Sequence, residues 1–198
     1  MLEPPRTHVH DERTVYDGSP WLHVKRHSIT APDGMTRSHH SVQLNTVATV
    51  MLIDDHERVL LVRRHRWIID QVGWESPGGI VDPEEDPEAC ARRELLEETG
   101  FEAETFILVA ELEPMPGLVQ SKHYVFIADH PRQVNTPTDA EEAGRLVWVP
   151  VYEAVDLLAR GELMGAGTAV GMLAALQLAR GREFDSPGQE CVTPFEAG

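Results

Sequence analysis

The sequence predicts an α/β fold on three observations. Apolar runs of strand length recur along the chain, one stretch with helix caps at both ends (Pro87 to Thr99) lies among them, and two further helical patterns follow. With 198 residues, 41% hydrophobic and 25% charged, the chain reads as a globular protein that can bury a core without staples.

The elements follow in order. Residues 1–19 are polar, carry Pro4 and Pro5 and show no period, so a flexible lead-in is expected there. In residues 20–45, Trp21 to Ile29 and Thr36 to Leu44 read as extended around an Asp33-Gly34 turn signal, which predicts a β-hairpin before the main domain. The main domain is expected over 46–180. It opens with Val47 to Ile53, a nearly continuous apolar run suited to a buried strand, and Val59 to Val62 returns after the polar turn at Asp54-Asp55. Arg63, Arg64, His65 and Arg66 then form a basic cluster, and Gly78-Gly79 reads as a turn after Trp74 to Pro77. Asp86 can cap the Pro87–Thr99 helix, Pro87 suits its first turn, and Gly100 can stop it. Phe101 to Leu112, Tyr124 to Ala128 and Leu146 to Val149 read as strands, with a polar loop from His130 to Gly144. Val151 to Arg160 and Thr168 to Arg180 read as helices, and 181–198 is expected to be a mobile tail.

Charge narrows the partners. The formal net charge of −16 repels nucleic-acid phosphates and anionic membranes, so neither is expected to bind. A small anionic substrate remains compatible, because bound metal ions reverse the local sign. No run approaches the ~20 apolar residues of a membrane span, and no secretion signal is read at the start, so the cytoplasm is the expected setting. Cys90 and Cys191 indicate no disulfide framework, and Cys90 reads as a packed thiol.

The chemistry concentrates on the best helix. At about 3.6 residues per turn, Glu94 and Glu98 lie about 40° apart and Glu97 flanks Glu94, so three carboxylates share one face. Like charges so spaced oppose one another, and a hard dication such as Mg²⁺ or Mn²⁺ would compensate them. Gly78-Gly79 leaves a backbone carbonyl near the helix as a further oxygen ligand. Arg93 is placed to hold Glu97, and Glu85 reads as a structural partner of Arg93. The alternative is a solvated acidic helix face.

The full segment, GGIVDPEEDPEACARRELLEETGF, resembles the Nudix box at every fixed position: Gly79, Glu85, Arg93, Glu94, Leu95, Glu97, Glu98, Gly100 and Phe101. The resemblance implies an α/β/α sandwich with a mixed sheet and an enzyme that uses Mg²⁺ (or Mn²⁺) to drive water onto a nucleoside diphosphate linked to another group. By position it implies Glu94 and Glu98 as main metal ligands, Glu97 as a ligand or support for the base, Gly78 as a carbonyl ligand and Arg93 as part of the catalytic set. It extends over about residues 20 to 180. LLVRRHRWIIDQVGWESPGG is similar to the stretch before the box in ADP-ribose and nucleotide-sugar pyrophosphatases, and the hairpin resembles their N-terminal dimerisation element, which implies a homodimer. Pro116 falls where that subgroup carries a proline, although Leu118 to Lys122 replaces the acidic residues that often follow it. The subgroup's base comes from a late loop, where Glu142 matches best, Glu141 is next and Asp139 also stands.

The expected substrate set is Arg64, Arg66, Glu75 and Pro116. The two guanidinium groups suit a phosphate or a base; surface pairing with Glu75 or Asp70 is the alternative. Trp74 reads as core, and His39, His40 and His123 show no metal-ligand spacing. The implied function is cleavage of ADP-ribose or a related nucleotide sugar. Another diphosphate (a nucleoside triphosphate, a cofactor or a prenyl diphosphate) and a non-catalytic nucleotide sensor are the alternatives.

Overall fold

The structure is a computed structural model, and it describes residues 3–137 and 144–181. The chain divides into two compact units, residues 1–46 with 112–123, and residues 47–111 with the remainder.

The first unit is a sheet. Strands β1 (His8–Gly18), β2 (Leu22–Thr30) and β3 (Thr36–Leu44) run antiparallel in order, and the short β10 (Val119–Gln120) joins β3 in parallel. The expected hairpin is present as β2 and β3, closed at Asp33-Gly34, where the Asp33 carboxylate accepts from the Met35 N–H. The expected lead-in over 1–19 is corrected. Most of it is β1, an edge strand exposed along nearly its whole length, so pairing with β2 rather than an apolar face defines it.

The second unit is built on strand alternation. It contains β4 (Val47–Leu52), β5 (Arg58–Arg66), β6 (Gln71–Glu75), β7 (Gly78–Ile80), β8 (Phe101–Glu102), β9 (Thr105–Leu112), β11 (His123–Asp129), β12 (Arg132–Gln133) and β13 (Arg145–Pro150). Its helices are α1 (Pro87–Thr99), α2 (Ala154–Ala159) and α3 (Ala166–Ala179). Strands β7-β4-β11-β9 form one sheet, β13-β5-β6 another, and β12 pairs with β8. Ala48, Val50, Leu52, Leu60, Phe126 and Ala128 point one way, into a core with Cys90, Ala91 and Leu95 of α1. Their neighbours Met51, Val59, Leu61 and Ile127 point the other way, against Ala154 and Leu157 of α2 and Met172 and Ala175 of α3. That period of two yields helix, sheet and helix in layers. Gly78-Gly79, expected as a turn, is a strand start instead, because both residues pair with β4. The expected strand Phe101 to Leu112 is broken at Ala103-Glu104. Among the described residues no helix is long and apolar enough to cross a membrane.

Candidate active site

Helix α1 is fixed at both ends by the residues that predict it. The Asp86 carboxylate accepts from the Glu88 and Ala89 N–H groups, and Gly100 takes the left-handed conformation that closes the last turn. Ala91 and Leu95 anchor the inner face, so the three glutamates fall at graded depths. The Glu98 side chain is 3% exposed, Glu94 15% and Glu97 47%.

Each carboxylate meets a guanidinium. Arg93 donates through Nη1 to Glu94 at 2.7 Å and to Glu97 at 3.3 Å, and grips Glu85 with two bonds of 3.0 Å. Its hydrogen bonds hold the Glu85 carboxyl down at about 2 against burial, with a further bond from the Asp82 N–H, and Glu85 in return raises the Arg93 value. Glu98 accepts from Arg64 Nη2 at 2.8 Å. Cys90 is fully buried beneath, its thiol pushed up to about 12 by desolvation and by the nearby Glu85 charge.

Opposite α1 runs the backbone of β7. A Cβ on Gly79 would stand 2.2 Å from Glu94 Oε1, so a side chain there would displace the carboxylate from its present place against the strand. Gly78, Gly79, Glu94, Glu97, Arg93, Asp82 and Arg66 line a cavity of about 530 Å³. Asp82 is a cavity residue that sequence reasoning missed; its only signal was its position in the turn before the helix. Arg66, half exposed, holds Glu75 bidentately, at 2.8 and 2.6 Å. Arg64, by contrast, is turned inward and buried, as is most of Glu75. Trp74 packs against the core and donates to Glu162 at 3.2 Å. Pro116 lies in the first unit, where it lines a cavity of about 390 Å³ with Val9, Ile29, His27, His39 and Glu113. Glu141, Glu142 and Asp139 lie outside the described residues.

A divalent ion suits this chemistry. The donors are hard oxygens, two carboxylates face a glycine backbone across the cavity, and the acidic face carries more charge than Arg93 alone offsets. Among the described residues no three acidic, His or Cys side chains already converge on one point; Glu94 and Glu97 share Arg93, while Glu98 is held by Arg64.

The NUDIX domain model matches residues 43–165. The chain belongs to the NUDIX family. It is 40% identical over 172 residues (87% of this chain, 83% of the relative) to CMP-5'-(N-acetyl-N-hydroxy-3-aminopropyl)phosphonate hydrolase of Streptomyces rubellomurinus. It is 28% identical to the ADP-ribose pyrophosphatase of Mycobacterium tuberculosis, over 95% of this chain and 96% of that one. A crystal structure of an ADP compounds hydrolase matches with a TM-score of 0.78 over 91% of this chain and 98% of its own; at 20% identity this shows the shared fold. The Nudix chain is therefore a hydrolase of the Nudix α/β/α fold, as its box implied.

Proposed function

We propose that this Nudix hydrolase is a metal-dependent pyrophosphatase that splits the diphosphate of ADP-ribose or a related nucleotide sugar into two phosphate monoesters. The observation that carries this reading is the cavity in which Glu94 and Glu97 face Gly78-Gly79 with Arg66 at the wall. Glu94, Glu98 and the Gly78 carbonyl would hold Mg²⁺ or Mn²⁺, with Glu97 as a ligand or support for the base. The bound ion would neutralise the diphosphate and lower the pKa of the attacking water.

The chain's own residues do the rest. Arg93 orients Glu94 and Glu97, and Arg66 can leave Glu75 to take a phosphate oxygen. Water oxygen bonds to phosphorus, the bridging P–O bond breaks, and the water proton passes to a carboxylate, assigned to Glu142 or Glu141. Pro116 belongs to the proposed substrate set. A homodimer through the hairpin of residues 20–45 is part of the reading, supported by the exposed Trp21 and Met35 of that segment. Light scattering at micromolar concentration should give twice the 22.1 kDa chain mass, and the monomer mass would remove this part. A cytoplasmic setting is part of the proposed reading.

The 40% identity with the CMP-linked phosphonate hydrolase favours a second reading, in which the leaving group is a phosphonate. A panel of ADP-ribose, GDP-mannose, a CMP-linked phosphonate, nucleoside triphosphates and prenyl diphosphates separates the two. Nucleoside monophosphate release, or inorganic phosphate release for the prenyl diphosphates, is measured with Mg²⁺, with Mn²⁺ and with chelator. ADP-ribose or a nucleotide sugar should lead, and activity should vanish on chelation. Preference for the phosphonate moves the assignment to the second reading, and hydrolysis of nothing on the panel overturns both.

A further inference from the structure

Arg64 lies where a cation is costly. Leu60, Val62 and Arg64 alternate along one face of β5, and Leu60 joins the core beneath α1, so the guanidinium ends an apolar row. Its side chain is 6% exposed and that of Glu98 3%, with Nη2 and Oε2 2.8 Å apart. The same guanidinium has Nε 3.8 Å from Glu75 on β6. Glu98 also stands in the last turn of α1, where the helix dipole disfavours an anion, and that turn contains no basic residue. The opposite charge is therefore delivered from another element. A buried ion pair gives little net stability over an apolar pair of the same volume, which points to a purpose beyond holding the fold.

We infer that Arg64 is a positioning residue for metal binding: it fixes the Glu98 carboxylate so that a dication meets a preformed ligand rather than one it must first order. This rests on the metal reading proposed above. The guanidinium donates to Glu98 through Nη2 while its Nε lies at ion-pair distance, 3.8 Å, from Glu75, a two-sided placement that a single ammonium nitrogen does not reproduce.

The test is Mn²⁺ binding to the resting full-length enzyme, followed by the electron paramagnetic resonance of free Mn²⁺, with thermal melting in parallel. Arg64→Gln should weaken Mn²⁺ binding by about tenfold or more, the usual scale for groups that orient metal ligands. Arg64→Lys keeps the charge without the fork and should weaken it less, by about threefold. A folded Gln variant with wild-type or tighter Mn²⁺ affinity overturns the assignment, even if its melting temperature falls. If the Gln variant does not fold, a folded Lys variant with wild-type affinity overturns it instead. Absence of Mn²⁺ binding in the wild-type protein brings down the metal reading itself, and the role of Arg64 with it.

Discussion

Helices α1 and α3 cover opposite faces of the second unit, and they are built to opposite rules. α1 has a side-chain cap, a left-handed glycine stop and charged residues on most of its outward positions. α3 has no side-chain cap at its start and is mostly alanine, glycine, leucine and methionine, with its glycines set against β4. A Cβ on Gly167 would stand 2.8 Å from Thr49 Oγ1, which shows how closely this helix lies on the strand. The contrast teaches a division of labour. One helix adds end signals to its core contacts and leaves a charged outer surface on which the proposed chemistry would take place, and the other rests on contact without a side-chain cap.

The sharpest way to break that contrast is Glu94→Gln. Loss of one proposed metal ligand should cut kcat/KM by on the order of 10³-fold while the melting temperature stays close to wild type. Retained activity at saturating Mg²⁺ would end the assignment. On the other face, Met172→Ala should cost about 2–5 kcal/mol in urea unfolding, since Met172 is fully buried against the sheet, and should leave kcat/KM of the folded fraction unchanged. A large catalytic loss there would show that the two faces are not separate.

Asp86→Ala tests the local signals alone, with an expected loss of about 1 kcal/mol from the missing cap bonds. The smallest effect concerns acid. Glu85 ionises at about 2 in the folded chain, against an ordinary 4.5, so its pairing with Arg93 stabilises the fold fully above about 4.5. That contribution fades as pH falls toward about 2 and is gone below it. Glu85→Gln should flatten the dependence of unfolding free energy on pH across this window, and an unaltered slope would remove Glu85 from it.

The same contrast explains what could be read from the chain. α1 was legible because its caps and its spacing are adjacent in sequence, and β4 because a continuous apolar run has few other uses. Strand β1 was not, since its side chains face solvent and its only support is the register with β2. In the site, the grip of Arg93 on Glu85 lies within one short segment and could be anticipated. The pairing of Arg64 with Glu98 joins residues 34 apart on different elements, and it buries a guanidinium that composition places at the surface. Gly79 is expected from its turn geometry, whereas the structure pairs it with β4 and lays the Glu94 carboxylate against it.

The buried Cys90 thiol has a practical consequence. It sits on the inner face of α1 with its proton retained at any physiological pH, so an alkylating reagent reaches it only when the helix lifts from the sheet. In a chain carrying Cys191→Ser, the labelling rate of Cys90 therefore becomes a clock for local opening beneath the glutamates, and any ligand that clamps the box should slow it.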